Sequence, residues 1–425
     1  MTASYAVQPA TAPLNATIRP PGSKSITNRA LVCAALAEGQ SRLSGVLHSD
    51  DTRVMIEGLG KLGIGVTADG PTSLVVSGCG GQIPALEADL FIGNSGTTIR
   101  FLTAMVTLGH GAFRLDGVPR MRERPIGDLA DALNTLGATV RCEGDSGCPP
   151  VSVHANGLPG GEATVRGDIS SQFLSGLMMA AAGAEGEVSL GVVGELVSKP
   201  YVAMTLEVMR SFGASPSADN QLASFTIPAS GYRGCDYEIE PDASAASYFW
   251  AAAAIVGGTV KVEGLSVDAL QGDVGVVDCL ESMGCHVQRD ANSITVTGGK
   301  LRGAELNMNA ISDTAQTIAA VALFAEGPTT ITGIGHNRHK ETDRIADLAT
   351  ELRRLGAAVD EHEDGMTITP GPLRSAQVQT YDDHRMAMSL ALVGLKQPGV
   401  VILDPGCTSK TYPEYFRDLE TLLQS

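Results

Sequence analysis

A helix end written as an apolar residue followed by glycine recurs along this chain, at Leu62-Gly63, Leu136-Gly137, Phe212-Gly213, Met283-Gly284 and Leu355-Gly356. The intervals are 74, 76, 71 and 72 residues. Such a period constrains the fold more than any single motif, because each copy must be one supersecondary unit that buries its apolar face on its neighbours. Glycine at these sites suits a left-handed helix cap. Short strand-like runs come after it, for example Val140–Cys142 with Val151–Val153, and Val287–Arg289 with Ile294–Val296. Each copy also opens on a polar loop that feeds an Ala-rich helix. The openings are Gly22-Ser23-Lys24-Ser25, Gly93-Asn94-Ser95-Gly96-Thr97-Thr98, Asp168-Ile169-Ser170-Ser171-Gln172, Asp242-Ala243-Ser244, Ser312-Asp313-Thr314 and Asp382-Asp383-His384-Arg385. An α/β fold of six copies of helix, strand, helix, strand, strand is expected. β pieces separated by a helix imply parallel pairing within a copy.

The sixth copy stops near Ser425 without its last two strands. Residues 4–20, with the alternating Ala16-Thr17-Ile18-Arg19, precede the first copy and are predicted to complete the last one. That assigns residues 1–21 plus 240–425 to one three-copy domain and 22–239 to another, as expected for a chain of 425 residues. Two crossings, near Gly22 and near Glu240, make a hinge, and the cleft between such domains is the default ligand site.

Composition excludes several function classes. Net charge is −17, so no basic excess exists for bulk nucleic-acid binding, and 4% aromatic side chains are too few for base stacking. The apolar runs Leu177–Ala182 and Ala251–Val256 are too short to span a bilayer and read as buried helices. Met1 to Pro13 has no basic start and no apolar run, so no signal peptide is expected. Eight scattered cysteines without a CxxC pair fit reduced thiols in a cytoplasmic protein, and Cys142 and Cys148 are taken as filler around a turn.

Against that acidic background, cations gather where helices begin. Ser23 or Ser25 can cap the helix that starts after Pro21-Gly22, yet Lys24 and Arg29 stand in its first turns. A helix N-terminus disfavours cations, and a bound anion, most simply a phosphate, repairs the conflict. On this stretch alone a capped surface helix with two solvated cations is an equal reading. Arg100, Arg120, Arg122, Arg124, Lys199, Lys340, Arg344, Arg385 and Lys410 repeat the pattern, which suggests a cleft built for strongly anionic small molecules. Ile345, Leu348, Ala349, Leu352 and Leu355 form a buried helical stripe, and Lys340 and Arg344, four apart, are expected on one face of that helix with Glu341 beside them. A plain intrahelical Glu341–Arg344 pair is the ordinary alternative. Asp313 precedes an apolar helix over Ala315–Ala325; it is a candidate general base, although N-capping is the ordinary explanation for it and for Asp168, Asp242 and Asp383. His336 and His339 are three apart with no third ligand patterned nearby, so no metal site is expected.

Long motifs then match a known family. They are Pro21-Gly22-Ser23-Lys24-Ser25 through Asn28-Arg29-Ala30-Leu31, Gly93-Asn94-Ser95-Gly96-Thr97-Thr98-Ile99-Arg100, Arg122-Glu123-Arg124-Pro125-Ile126, Ser170-Ser171-Gln172-Phe173, Lys340-Glu341-Thr342-Asp343-Arg344 and Asp383-His384-Arg385-Met386-Ala387-Met388. Over nearly its whole length the chain resembles the 5-enolpyruvylshikimate-3-phosphate (EPSP) synthases, enolpyruvyl transferases of the shikimate pathway. The resemblance implies two domains of three βαβαββ units each, in an arrangement like an inverse β/α barrel. It implies transfer of the enolpyruvyl group of phosphoenolpyruvate to the 5-hydroxyl of shikimate 3-phosphate with loss of phosphate, no metal or organic cofactor, and a monomer.

Carried over by motif, the resemblance assigns shikimate 3-phosphate to Lys24, Ser25, Arg29, Ser170, Ser171, Ser198, Tyr201, Asp313, His336 and Lys340. It assigns phosphoenolpyruvate to Lys24, Asn94, Gly96, Arg124, Gln172, Arg344, Arg385 and Lys410. Asp313 is the expected base at the hydroxyl, and Glu341, Lys24 and Lys410 are candidates for proton traffic at C3. Gly96, rather than alanine, is expected to leave room for the herbicide glyphosate. The chain departs from the family in Gly335-His336-Asn337-Arg338-His339: His336 stands where an asparagine often contacts substrate, and His339 where a small apolar residue is common. A sister UDP-N-acetylglucosamine enolpyruvyl transferase typically carries a reactive cysteine in a loop that here, over Leu115–Pro125, has none. A nucleotide-loop reading of Gly22-Ser23-Lys24-Ser25 fails on the G-x-x-x-x-G-K-[ST] spacing. A non-catalytic repeat protein is the remaining alternative, and the cationic helix starts argue against it.

Overall fold

The structure, a computed structural model, describes residues 3–144 and 146–424; Met1, Thr2, Asp145 and Ser425 lie outside the described residues. Each copy supplies two helices: α1 (Lys24–Leu36) and α2 (Asp50–Lys61), α3 (Gly96–Val106) and α4 (Gly127–Thr135), α5 (Ser171–Ala181) and α6 (Lys199–Ser211), α7 (Ala243–Val256) and α8 (Val276–Ser282), α9 (Ala315–Ala322) and α10 (Arg344–Leu355), α11 (His384–Gly394) and α12 (Tyr415–Leu422). The first helix of each copy is buried along nearly its whole length, as its Ala-rich, charge-poor sequence permits. The second is amphipathic: α10 buries Ile345, Leu348, Ala349, Leu352 and Leu355, the stripe read from sequence. Gly63, Gly137, Gly213, Gly284 and Gly356 all take positive φ after the second helices, so the repeated glycine is a left-handed cap.

The chain divides into two compact units, Gly22–Ile239 and Met1–Pro21 with Glu240–Ser425. The later copies of each unit carry a parallel strand pair bridged by the copy's first helix. The pairs are Glu87–Phe91 with His110–Asp116, Gly161–Arg166 with Val188–Val193, and Glu305–Asn307 with Thr329–Thr332. Ala376–Val378 with Val400–Leu403 obeys the same rule. In the four-stranded sheets an antiparallel hairpin extends the parallel pair, as where Val151–Asn156 pairs with both His110–Asp116 and Val140–Cys142.

The copies that begin each unit borrow a strand from afar. Asp236–Glu238 lies parallel to Gln40–Ser44 and opens the first copy, so the unit Gly22–Ile239 closes on itself. Leu14–Ile18 lies parallel to Gly258–Glu263 and opens the fourth. This corrects the expectation that the alternating 16–19 stretch completes the sixth copy. That role falls to Ser4–Ala6, antiparallel to Val400–Leu403. Leu14 and Ala16 bury one face of an edge strand, a pattern that either sheet accepts, and three residues are too few for Ser4–Ala6 to announce themselves.

In the unit containing Glu240–Ser425, α7, α9 and α11 pack on one another. Trp250 is fully buried there and donates its indole N–H to Ile294 O at 3.1 Å. In Gly22–Ile239, α3 packs against α1 and α5. A glycine stack fixes where the chain enters this unit. A Cβ on Gly22 would fall 2.9 Å from the Gly45 carbonyl carbon, and one on Gly45 (φ +71) would fall 2.7 Å from Ile239 O.

Gly22→Ala should therefore lower unfolding stability by about 3 kcal/mol, since backbone must move. Gly60→Ala, on the exposed side of α2 with nothing within 4 Å, should raise it by about 0.5–1 kcal/mol. Urea unfolding of both variants checks the pair.

Candidate active site

Helices buried along their length present polar chemistry only at their ends, and the N-termini of the first helices carry it. Ser23, Ser95, Ser170, Asp242 and Asp383 are N-caps, accepting from the backbone N–H of Ile26, Thr98, Gln172, Ala245 and Arg385. Asp313 is the exception. It lies in a 3-10 turn, Asn309–Thr314, ahead of α9 and caps nothing.

In Gly22–Ile239, Lys24 opens α1 and its Nζ lies 3.6 Å from Asp51 in the first turn of α2. Arg29 is 2% exposed. Its guanidinium donates to Thr205 Oγ1 at 2.7 Å, Ser25 O at 3.0 Å, Tyr201 O at 3.1 Å and Ser175 Oγ at 3.2 Å. It also lies 5.3 Å from the Phe101 ring centroid. No carboxylate among the described residues pairs with it, and burial pushes its pKa down to about 10. A buried cation held only by neutral acceptors is costly until an anion joins it. Tyr201 lies in the first turn of α6, shortly after Ser198, which is buried and left-handed at φ 53.

Arg124 and Arg100 enclose the start of α3. Arg124, 3% exposed, donates to Asn94 O at 3.1 Å. Arg100 donates to Gln172 Oε1 and Gly96 O, each at 3.0 Å, and to Pro125 O at 2.9 Å, and Gln172 reaches Thr97 Oγ1 at 3.3 Å. A Cβ on Gly96 would lie 2.6 Å from Arg100 Nη1 and 2.7 Å from Arg124 Cζ, so a methyl group there must displace one guanidinium or both. Ser171 is buried at the start of α5.

In the other unit the charges converge on three carboxylates. Asp313 takes Arg385 Nη2 at 2.7 Å, Arg344 Nη1 at 3.4 Å and Lys340 Nζ at 3.6 Å. Glu341 takes Arg344 Nη2 at 2.9 Å and Lys410 Nζ at 3.6 Å. Asp383 takes Arg344 Nε at 2.7 Å and Nη2 at 3.1 Å. Burial alone would depress Arg344, but Asp383, Glu341 and Asp313 outweigh it and hold its pKa above the ordinary value. Lys340, Arg344, Arg385 and Lys410 thus share these three carboxylates, and Lys410 also acts on Asp382. His336 is buried and meets Ser312 Oγ at 2.9 Å through Nε2. Burial first, and Lys340 next, push its pKa down to about 3, so it stands neutral in the cluster. His339 is only partly buried.

Three expectations need correction. Lys340 is not on α10: it ends the 3-10 turn Gly335–His339, and α10 starts at Arg344 with Asp343 as N-cap. Lys340 and Arg344 meet at Asp313 rather than through i, i+4 spacing, and the Glu341–Arg344 pair spans the turn before the helix. Asp168 is not a cap either; it pairs with Arg166 near the surface. Some of the cations depart from the helix-start pattern. Arg124 and Lys410 close 3-10 turns, and Arg120 and Arg122 are occupied by Glu123 and Asp116; Lys199 does open α6 but is exposed. Asp51, the partner of Lys24, is a contact that sequence reasoning missed, because an acid in a first turn with a capping box reads as an ordinary dipole partner.

Among the described residues all eight cysteines are free, no helix is long and apolar enough to cross a membrane, and no group of three or more His, Cys, Asp or Glu side chains is gathered as a metal site.

The sequence pattern of EPSP synthase (3-phosphoshikimate 1-carboxyvinyltransferase) matches residues 9–419. The chain belongs to the EPSP synthase family. A 3-phosphoshikimate 1-carboxyvinyltransferase of Nostoc punctiforme is 49% identical over 417 residues, 97% of each chain. The chloroplastic protein of the same name from Arabidopsis thaliana is 47% identical, covering 95% of this chain and 82% of that protein. The EPSP synthase of Acinetobacter baumannii superposes with a TM-score of 0.82 at 25% identity, over 99% of this chain and 98% of that one. The enolpyruvyl transferase NikO of Streptomyces tendae, at 21% identity and a TM-score of 0.77 over 99% and 98% of the two chains, shares the fold. The two-unit, six-copy α/β architecture is thus that of EPSP synthases.

A neutral buried His336 makes stability of this family member fall with acid. Its unfolded pKa of 6.5 exceeds the folded value of about 3, so the unfolded chain binds more protons between those limits and stability is lost as pH drops through them. From pH 7 to pH 5 the loss traceable to His336 is about 2 kcal/mol. His336→Asn, which can keep a contact to Ser312, should lose about that much less than the unaltered protein in denaturation curves at the two pH values. Equal losses in both proteins would contradict it.

Proposed function

We propose that this chain transfers the enolpyruvyl group of phosphoenolpyruvate to the 5-hydroxyl of shikimate 3-phosphate, on the route to chorismate and the aromatic amino acids. The observation that carries the proposal is Asp313 itself. It is a carboxylate that caps no helix and is held between Lys340, Arg344 and Arg385. Both substrates are polyanions, and one of them offers a hydroxyl that must lose its proton.

In the proposed roles, Lys24, Ser25, Arg29, Ser170, Ser171, Ser198, Tyr201, Asp313, His336 and Lys340 hold shikimate 3-phosphate. Arg29, buried without a carboxylate partner among the described residues, is suited to an anionic group of it. Lys24, Asn94, Gly96, Arg124, Gln172, Arg344, Arg385 and Lys410 hold phosphoenolpyruvate. The 5-oxygen bonds to C2 of phosphoenolpyruvate as Asp313 accepts its proton, and a proton is delivered to C3, which becomes a methyl group. From the tetrahedral adduct the C2–O bond to phosphate breaks, phosphate leaves, and C3 gives up a proton to restore the double bond. Glu341, Lys24 and Lys410 are assigned to that proton traffic. Three cations face Asp313 in the free protein. A substrate carboxylate or phosphate would engage Arg344 and Arg385 beside it. A cytoplasmic setting belongs to the same proposal, supported by the eight unpaired thiols.

Phosphate release from the two substrates tests the reaction directly; no release would end the proposal. Asp313→Asn should lower kcat at least ~100-fold while leaving shikimate 3-phosphate bound, the loss expected for a general base. Near-normal turnover would remove Asp313 from that role. Gly96→Ala should raise the KM for phosphoenolpyruvate about tenfold or more, because the methyl group displaces Arg124 and Arg100, and should raise the concentration of glyphosate needed for inhibition. Unchanged values for both would remove Gly96 from the site.

A further inference from the structure

Besides Arg344 at its start, the buried face of α10 carries one charge. Glu351 stands three residues after Leu348 and four before Leu355, on the buried face, and its side chain is 0% exposed. Arg354, itself half in solvent, lies 3.1 Å away. A carboxylate there costs folding energy that an apolar residue would not, so its contacts are informative. It accepts from the backbone N–H of Gln379 at 3.1 Å and from the Tyr381 hydroxyl at 2.8 Å.

Those donors belong to an unusual turn. Tyr381 and Asp382 both take left-handed backbone, φ 55 and φ 54, and neither is glycine. Left-handed conformation is unfavourable for side chains with a Cβ, and for a bulky one such as Tyr more so. The turn leads straight into Asp383, which caps α11 by accepting from Arg385 N at 2.8 Å. Arg344 grips Asp383 with two nitrogens, and Glu351 comes seven residues after Arg344, two turns along the same face of α10. The helix therefore holds the 379–385 segment at two places, at Asp383 with a cation and at Gln379 and Tyr381 with an anion.

We infer that Glu351 is a positioning residue of the proposed reaction: through Tyr381 and Gln379 it holds the left-handed Tyr381–Asp382 turn, and so sets where Asp383 and Arg385 stand. Glu351 touches no substrate in this scheme. The inference rests on the assignment of Arg344 and Arg385 to phosphoenolpyruvate. It predicts selectivity, because a turn that drifts moves Arg385 relative to Arg344 and spoils one binding site more than the other.

The full chain is assayed as unaltered protein, Glu351→Ala, Glu351→Gln, Tyr381→Phe and the double variant Glu351→Ala/Asp382→Gly. Glu351→Ala should raise the KM for phosphoenolpyruvate about tenfold, with the KM for shikimate 3-phosphate within about threefold, since small misplacements of binding groups are expensive. Tyr381→Phe, which removes one hydrogen bond and leaves folding least disturbed, should change the same constant in the same direction by less. Glu351→Gln, which keeps one acceptor, should restore part of the loss. Asp382→Gly should rescue Glu351→Ala, because glycine accepts the left-handed turn without a clamp. Amide hydrogen exchange at Arg385 reads the turn without any turnover, and should quicken at least about tenfold in Glu351→Ala. Unchanged exchange at Arg385 would overturn the inference. So would equal loss for both substrates that tracks the melting temperature and is not rescued by glycine. If the unaltered protein releases no phosphate, the proposed reaction has failed, while the exchange measurement still decides the role of Glu351.

Discussion

One constraint governs this chain: six helices are buried along almost their whole length. Such a helix satisfies its own backbone except at its ends, and the four N–H groups at each N-terminus must find partners somewhere. Five of the six polar openings meet the need with a Ser or Asp cap. The same ends are the only places where these helices can carry polar side chains without burying them against a neighbour. Packing α7, α9 and α11 together therefore gathers their polar ends as well, which is how Arg385 of α11 comes within reach of Ser244 and Tyr248 of α7 and of Asp313 ahead of α9. The site is a consequence of how the helices pack.

The charges gathered there are too costly to be explained as stabilisers. Exposed pairs such as Arg53 with Asp50 and Glu57 add roughly a few tenths of a kcal/mol at most. Buried pairs commonly gain little once desolvation is counted, and a buried cation with no acid opposite it is a net cost. Arg29 has no acid opposite it among the described residues. A buried cation of that kind becomes favourable when an anion joins it. In the proposed function it is binding energy stored in the free protein rather than part of what holds it together.

The repeat is legible in the sequence because glycine after an apolar helix end has one structural meaning, and all five such glycines are left-handed caps. The cationic loops are legible because cations at helix starts contradict the dipole. Other features stay hidden for physical reasons. The partner of the Leu14–Ile18 strand is decided by contacts hundreds of residues away, which alternation cannot encode. The boundary of α10 is obscured because Lys340-Glu341-Thr342-Asp343 is as helix-compatible as the residues after it, and only the cap at Asp343 marks the start. Asp313 reads as a cap because an acid before an apolar helix usually is one; the 3-10 turn before α9 is what keeps it from capping. Glu351 reads as surface because the polar residues around it on the helix are surface.

Arg344 shows why the cluster requires its residue types and not merely its charges. Its Nε and Nη2 lie along Asp383, Nη2 also meets Glu341, and Nη1 reaches Asp313, so one planar guanidinium serves three carboxylates from three separate segments. A lysine carries the same charge but projects a single ammonium and could not lie along Asp383 with two nitrogens while facing Asp313. The fork also fixes direction. With Nε committed to the buried cap of α11, rotation of the side chain would break the shortest of these bonds, so Nη1 stays turned toward Asp313. The cap of one helix, the first residue of another and the carboxylate before a third are thereby locked in register by one side chain. In the proposed reaction, that register would let a hydroxyl brought to Asp313 meet a base of fixed position rather than one that searches for it.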